Sequence, residues 1–222
     1  MKTAIVNLST PKYEKGRVRL FNSLQNGIFD GDVITFVSEE QVGAPKHTDN
    51  PYAFKIYAIE KAREMGYTSI LWLDASCYAI KNVQPIFDYL HKHGIFMENS
   101  GHWTSTWSND GSLAYFGITR EEAMIIPMVH GGFVGFDFTQ KVSQEFFEKW
   151  KQSMLDGIFK GSWKDHRHDM TCASIIGYQM GLEKIYSPLS SPLRLGSGHF
   201  LAYIGDEYEE PQDTVIIYVT GA

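Results

Sequence analysis

The spacing of apolar residues alternates between two periods along the first half of the chain, as it does where strands and helices follow one another. Apolar runs predict strands at residues 3–8, 32–37 and 69–73. Between them, 17–25 looks helical, and 51–65 places apolar residues close to a period of 3.6, with Pro51 suited to its first turn and Gly66 to its end. This βαβαβ order predicts an α/β fold with a mostly parallel central sheet flanked by helices.

The strand at 69–73 runs directly into a carboxylate, Asp74. A central parallel strand is covered on both faces, so it is uniformly apolar, and the first residue beyond the covered region can carry a charge. In open α/β sheets, ligands bind outside the carboxyl ends of the strands. Asp74 is therefore a candidate binding residue. The alternative is that it only caps the turn into a helix predicted around 83–91.

The middle of the chain changes character. Residues 99–117 hold two tryptophans among Gly, Ser, Thr, Asn and Asp, which predicts a long surface loop. Such loops are often lids or binding loops, and the aromatic residues argue against a disordered insert. Thr119 with Glu122 makes a capping box for a short helix.

Two glycines, Gly131 and Gly132, interrupt the strand-like segment "MVHGGFVGFD" at 128–137. Interior glycine weakens a strand, so the pair indicates either the close approach of a ligand or second backbone, or a β-bulge. An amphipathic helix is predicted at 139–155, and its apolar stripe is expected to face the core.

A polar cluster opens "KDHRHDMTCASIIGYQMGL" at 164–182, which predicts a helix capped by Asp165. His166 and Asp169 would share one face at its positive end, a placement that suits a carboxylate or an anion. A zinc site is disfavoured because His166 and His168 would point apart on a helix. Near the end of the chain, His199 stands in a glycine-flanked turn and is either structural or functional.

Composition narrows the class of protein. A chain of 222 residues with 43% hydrophobic content can form one domain over 1–222. Twenty Lys and Arg against 26 Asp and Glu give a net charge of -6, which argues against a broad nucleic-acid surface. The sequence shows no signal-peptide pattern and no apolar run as long as the ~18 residues that a membrane-spanning helix needs. Its two cysteines are too few for a disulfide framework. We expect a soluble, cytoplasmic protein with a small-molecule partner.

Taken in order, "PYAFKIYAIEKAREMGYTSILWLDAS", the aromatic segment, "HGGFVGFD" and "HRHDMT" resemble glycosyltransferases of the GT-A type, the nucleotide-diphospho-sugar transferase superfamily. The resemblance covers about residues 3–205. It implies a single GT-A-like (Rossmann-like) domain that moves a sugar from a UDP- or GDP-sugar to a hydroxyl of a glycan or small-molecule acceptor.

The resemblance also implies a cation site. In that family an Asp-x-Asp motif after the central strand holds a divalent cation, and here the matching residues are Asp74, Ala75 and Ser76. His199 resembles a late histidine that some relatives use as a third ligand. Since a hydroxyl is a weaker ligand than a carboxylate for a hard cation, we expect Mn²⁺ or Mg²⁺ to bind weakly or not at all.

Further roles follow from the same resemblance. Ser9, Thr10 and Lys55 would lie beside the nucleotide, and Gly131 and Gly132 beside the sugar and acceptor. The departing diphosphate would be neutralised by a metal or by Lys55 and Arg167. Asp169 and His166 are the predicted catalytic residues, with Asp169 near the anomeric carbon as a base in an inverting reaction or as a stabiliser of positive charge in a retaining one.

Two other functions remain open. A nucleotidyltransferase on a similar sheet would need a Gly-rich loop with a basic residue after the first strand, where "NLSTPKYEKG" stands instead. A non-catalytic GT-A-like module that binds carbohydrate or nucleotide, or has a structural role, is consistent with serine at position 76.

Overall fold

The computed structural model describes residues 1–182 together with two strands at 201–204 and 217–220. The predicted position of His199 lies outside the described residues. The strands are β1 (Thr3–Leu8), β2 (Asp32–Phe36), β3 (Ser69–Leu73), β4 (Cys77–Ala79), β5 (Ile95–Trp103), β6 (Pro127–Asp137), β7 (Leu201–Ile204) and β8 (Ile217–Thr220). Five of them form the central sheet in the order β2-β1-β3-β6-β5, and a smaller sheet has the order β4-β8-β7.

The helices are α1 (Glu14–Ser23), α2 (Ala53–Glu64), α3 (Gln84–His93), α4 (Asp110–Tyr115), α5 (Lys141–Leu155) and α6 (His168–Gln179). The predicted strands and the helices at 17–25, 51–65, 83–91 and 139–155 are confirmed, with ends that shift by up to three residues. Among the described helices, none is long and apolar enough to cross a membrane.

The expectation of a mostly parallel sheet is wrong, because the sheet is mixed. β1 pairs in parallel with β2 and β3, whereas β6 lies between β3 and β5 and runs antiparallel to both. Hydrophobic periodicity reports which residues are buried but not the direction in which a strand runs. The reversed strand brings Gly132 beside the carboxyl end of β3, where its carbonyl oxygen accepts the Asp74 N–H at 2.9 Å.

Both faces of the sheet are covered, which explains the uniformly apolar β3. Ile70 and Trp72 pack into the core that contains residues of α2, α5 and α6. Leu71 and Leu73 pack on the opposite face with residues of α1 and α3. All four side chains are fully buried. The first position where this double cover ends is Asp74, as the strand pattern predicted.

The segment at 99–117 is not the long loop that its composition predicted. β5 continues to Trp103, and α4 follows after a short 3-10 turn at 104–106. Register shifts along β5 let polar residues stay in the strand, and Asn109 caps α4 by accepting the Ser112 N–H at 2.8 Å. The Thr119 and Glu122 hydrogen bonds form as predicted, on a 3-10 turn at 122–124.

Candidate functional site

Two pockets meet at the carboxyl ends of β1 and β3. The first encloses about 410 Å³ and is lined by residues that include Ser9, Thr10, Lys12, Asp74, Ala75 and Ser76. The second encloses about 290 Å³ and is lined by residues that include Lys55, His130, Gly131, Gly132, Arg167 and Asp169. Tyr52, Asp74 and Ser76 line both pockets, so they form one continuous cleft.

Three charged side chains meet where the pockets join. The Lys55 Nζ donates to Asp169 Oδ2 at 2.8 Å and to the carbonyl oxygen of Gly131 at 2.7 Å, and it lies 3.6 Å from Asp74 Oδ1. Asp74 Oδ1 also accepts the Trp72 Nε1–H at 2.7 Å. The Lys55 and Asp169 side chains are each 2% exposed and that of Asp74 is 33% exposed. A ligand in the cleft therefore meets Asp74 first, with the other two charges on the floor behind it.

Burial and charge oppose one another in this cluster. Burial by itself would lower the pKa of Lys55, but the attraction of Asp169 and Asp74 outweighs it and raises the pKa above its ordinary value. Burial raises the pKa of Asp169, and the Lys55 ammonium opposes that rise. Lys55 is thus held as a cation between two acids. The cluster combines two acids with one cation, and only Asp74 among the three side chains is open to solvent.

The helices that carry Lys55 and Asp169 both begin at or directly after a residue of positive φ. Tyr52, which precedes α2, has φ of 60°, and His168, the first residue of α6, has φ of 44°. For residues other than glycine each such conformation costs of order 1–3 kcal/mol and occurs often at functional sites. The two rings contact one another with centroids 5.2 Å apart. The two positive-φ residues thus lie in contact with one another at the helix starts that supply Lys55 and Asp169.

The glycine pair leaves room for neighbouring side chains, whereas the first of its two predicted interpretations was the close approach of a ligand or a second backbone. A Cβ at Gly131 would lie 2.7 Å from Met170 Cγ and 3.0 Å from Asp169 Oδ2, and one at Gly132 would lie 2.9 Å from Asp74 Oδ2. The pairing of β5 with β6 is irregular between Val129 and Val134 in β6, which agrees with the second interpretation, a β-bulge. Both features bring the two acids and the β6 backbone together.

His130 is a site residue that the sequence reasoning missed. Its Nδ1 accepts the Gly132 N–H at 3.2 Å, which leaves the proton of the neutral ring on Nε2. Burial lowers the pKa of His130 to about 4, against the opposing effect of Asp74. A histidine beside two glycines in an otherwise apolar strand was the signal that could have identified it.

His166 does not reach the cleft. The helix begins at His168 and not after Asp165, so the predicted shared face with Asp169 does not exist. The His166 side chain is fully buried and its Nε2 donates to the carbonyl oxygen of Ile158 at 2.8 Å. His166 is therefore placed to anchor the loop before α6, and a catalytic role for it has no support in its position.

The described residues do not by themselves form a strong divalent-cation site. Within them, no group of three or more His, Cys, Asp or Glu side chains could hold a metal ion. Around Asp74 and Ser76 they supply one carboxylate and one hydroxyl, and the Lys55 ammonium already lies 3.6 Å from Asp74 Oδ1. A hard cation such as Mg²⁺ or Mn²⁺ is usually held by more oxygen ligands than these. We therefore assign no chemical step to a metal.

The fold is that of GT-A type glycosyltransferases. Mouse xyloside xylosyltransferase 1, in its apo form, matches with a TM-score of 0.52 at 10% identity, over 82% of this chain and 83% of that chain. The apo structure of the bifunctional glycosyltransferase WbbM matches with a TM-score of 0.52 at 12% identity, over 79% of this chain and 37% of that chain. This chain thus spans little more than a third of the length of WbbM. No protein-family model and no curated protein sequence matches it.

Proposed function

We propose that this protein is a glycosyltransferase that moves a sugar from a nucleoside-diphosphate sugar to a hydroxyl acceptor. The observation that carries the proposal is the cluster of buried Lys55 and Asp169 with partly exposed Asp74, two acids around one cation, at the junction of two pockets in a GT-A-like fold. Glycosyl transfer develops positive charge at the anomeric carbon, and a fixed negative charge in a region poor in water stabilises it.

The two pockets suit the two substrates. The larger pocket lies outside the ends of the parallel strands β1 and β3, the region where open α/β sheets bind nucleotides, so we assign the nucleoside diphosphate to it. The smaller pocket then receives the acceptor. The reacting sugar lies between them, beside Asp74, which lines both.

Neutralisation of the departing diphosphate falls to side chains other than Lys55. The ammonium of Lys55 has two protein acceptors within 2.8 Å and a third at 3.6 Å, so its hydrogens are already directed at protein oxygens. Among the described residues, Lys12 lines the larger pocket, where a phosphate oxygen could approach it, whereas Arg167 lines the smaller pocket and could reach the diphosphate only at the junction of the two. Lys12 lies in the 3-10 turn Pro11–Tyr13 after β1 and was not among the predicted site residues.

During the reaction the bond between the anomeric carbon and the diphosphate oxygen breaks, a bond to the acceptor oxygen forms, and the proton of that hydroxyl passes to the departing diphosphate. We assign Asp169 the electrostatic part of this step. Its carboxylate accepts the Lys55 Nζ hydrogen bond at 2.8 Å, and the Lys55 ammonium opposes the rise that burial causes in the pKa of Asp169. Removing one such fixed charge typically costs about 10²-fold in rate.

A non-catalytic nucleotide- or carbohydrate-binding module is the second candidate. The hydrogen bond between Lys55 and Asp169 favours this candidate, because it leaves Asp169 almost inaccessible to a substrate. Serine at position 76, in place of a second acid, favours it too. Such a module would bind a nucleoside diphosphate or a sugar without turnover.

The first test is binding of UDP and GDP, with and without Mn²⁺, by calorimetry and by the rise in melting temperature that ligand binding causes. We expect one of the two to bind, and Asp74→Ala to weaken it in a folded protein. Asp30→Ala removes an exposed acid away from the cleft and is the matched control. Equal affinity in the Asp74 variant, or no binding of either nucleotide, would contradict the proposal; binding without sugar transfer would support the second candidate.

A further inference from the structure

Trp163 is an exposed aromatic side chain at the edge of the smaller pocket. It is 60% exposed, the largest exposed fraction among the described Phe, Tyr and Trp residues, and it lines the same pocket as Lys55 and Asp169. An indole ring is costly to leave in water because of its large apolar area. Its exposure beside a charged pocket therefore requires an explanation.

The ring belongs to an ordered stack of three side chains. The guanidinium carbon of Arg167 lies 4.6 Å from the ring centroid of Trp163 and 3.9 Å from that of Trp107. The backbone N–H of Arg167 also donates to the carbonyl oxygen of Trp107 at 2.9 Å. Cation–π contacts of this kind favour one orientation of the outer ring. Trp163 is consequently held in place from the side of Arg167.

The loop that carries Trp163 is anchored as well. His166 Nε2 and His168 Nδ1 lie 2.8 and 2.7 Å from the carbonyl oxygens of Ile158 and Phe159, just before the loop. The carbonyl oxygen of Ser162 accepts backbone N–H groups of the turn that follows it. The two histidines of "HRHD" thus stabilise the segment that presents the indole, and a preorganised aromatic surface binds a partner at low entropic cost.

We propose that Trp163 is the stacking platform for a sugar ring of the acceptor, so that the acceptor is a saccharide. This rests on the proposed function and names the acceptor class for the same site. A pyranose has an apolar C–H face, which can cover an indole, and a rim of hydroxyls, which can reach the polar groups of the pocket. The hydroxyl of a small alcohol or of a serine side chain would leave most of the ring uncovered.

Direct binding tests the proposal without a donor. Saturation-transfer NMR with methyl β-D-galactopyranoside, methyl α-D-mannopyranoside and methyl β-D-xylopyranoside, in the presence and absence of UDP or GDP, should show contact between the ring protons of at least one of them and the protein. Trp163→Ala should abolish the signal and Trp163→Phe should keep part of it. Phe21→Ala, which removes another exposed aromatic residue outside both pockets, is the control and should change nothing.

Turnover supplies the second measurement. With a competent donor, Trp163→Ala should raise the acceptor KM by roughly 10-fold, the scale of a lost aromatic contact, and should change the donor KM much less, because Arg167 keeps its contact with Trp107. An unchanged acceptor KM, a preference for a serine- or threonine-containing peptide over saccharides, or no contact of any methyl glycoside with the wild-type protein would overturn the inference. Different results would contradict the proposed glycosyltransferase function itself: no binding of a nucleotide and no sugar transfer to any acceptor.

Discussion

Replacing Lys55 with methionine should destabilise the protein strongly. Methionine keeps most of the unbranched apolar stem but removes the ammonium that lies 2.8 Å from Asp169 Oδ2 and 2.7 Å from the carbonyl oxygen of Gly131. The substitution leaves a buried carboxylate and a carbonyl oxygen without the cation that they surround. The substitution therefore measures how much the Lys55 charge at the floor of the cleft contributes to the stability of the protein.

The magnitude follows from the burial of the pair. The Lys55 and Asp169 side chains are each only 2% exposed, so water cannot replace the lost partner. Breaking a buried ion pair by removing one member typically costs about 3–5 kcal/mol, a large part of the total stability of a domain. An exposed pair such as Lys61 with Glu64, whose side chains are 46% and 66% exposed, contributes about 0–1 kcal/mol. Lys61→Met is thus the matched control.

The loss of stability caused by Lys55→Met should depend on pH. In the wild-type protein the raised pKa of Lys55 keeps its stabilising contribution present through neutral pH, and that contribution is lost only as the pH rises past the pKa in the folded state. In the variant, the pKa of Asp169 should rise further above that of an unfolded aspartate, about 3.9. The variant then loses stability as the pH rises from about 4 toward the new pKa, because Asp169 loses its proton at a lower pH in the unfolded state than in the folded state.

The assay is urea unfolding followed by circular dichroism at several pH values between 4 and 8, with the free energy of unfolding extrapolated to water. We expect the deficit of Lys55→Met to be smallest near pH 4 and largest near neutrality, and the second change Asp169→Asn to recover part of it. A deficit below about 1 kcal/mol at neutral pH, equal to that of Lys61→Met, would refute the reasoning, since it would mean that water reaches the pair.

Two further predictions concern the chemistry of the cleft. Asp169→Asn should lower turnover by roughly 10²-fold with donor affinity little changed, because the amide keeps the shape of the side chain and loses its charge; a lower melting temperature with near-normal turnover per folded molecule would indicate a purely structural residue. Ser76→Asp should tighten Mn²⁺ binding in a calorimetric titration, because it adds a charged oxygen ligand next to Asp74; no gain in a folded variant would show that position 76 does not face a cation.

Local sequence patterns were sufficient to predict most strands and helices and to identify Asp74 as a residue of the cleft. The strands at 3–8 and 69–73 and the helix ending near Gly66 follow from apolar spacing and helix-stop chemistry, which depend on neighbours a few residues apart. The same argument located Asp74 at the end of a doubly covered strand. It failed at 99–117, where irregular pairing with β6 keeps polar residues in a strand.

The direction of β6 and the charge cluster depended on tertiary structure. Lys55 and Asp169 are 114 residues apart in the chain, and no local pattern reports that α2 and α6 begin at the same cleft. Their contact exists because β6 runs antiparallel beside β3 and carries Gly131 between them, without a side chain to keep them apart. Local periodicity determines which residues are buried, whereas the order and direction of strands determine which buried charges meet.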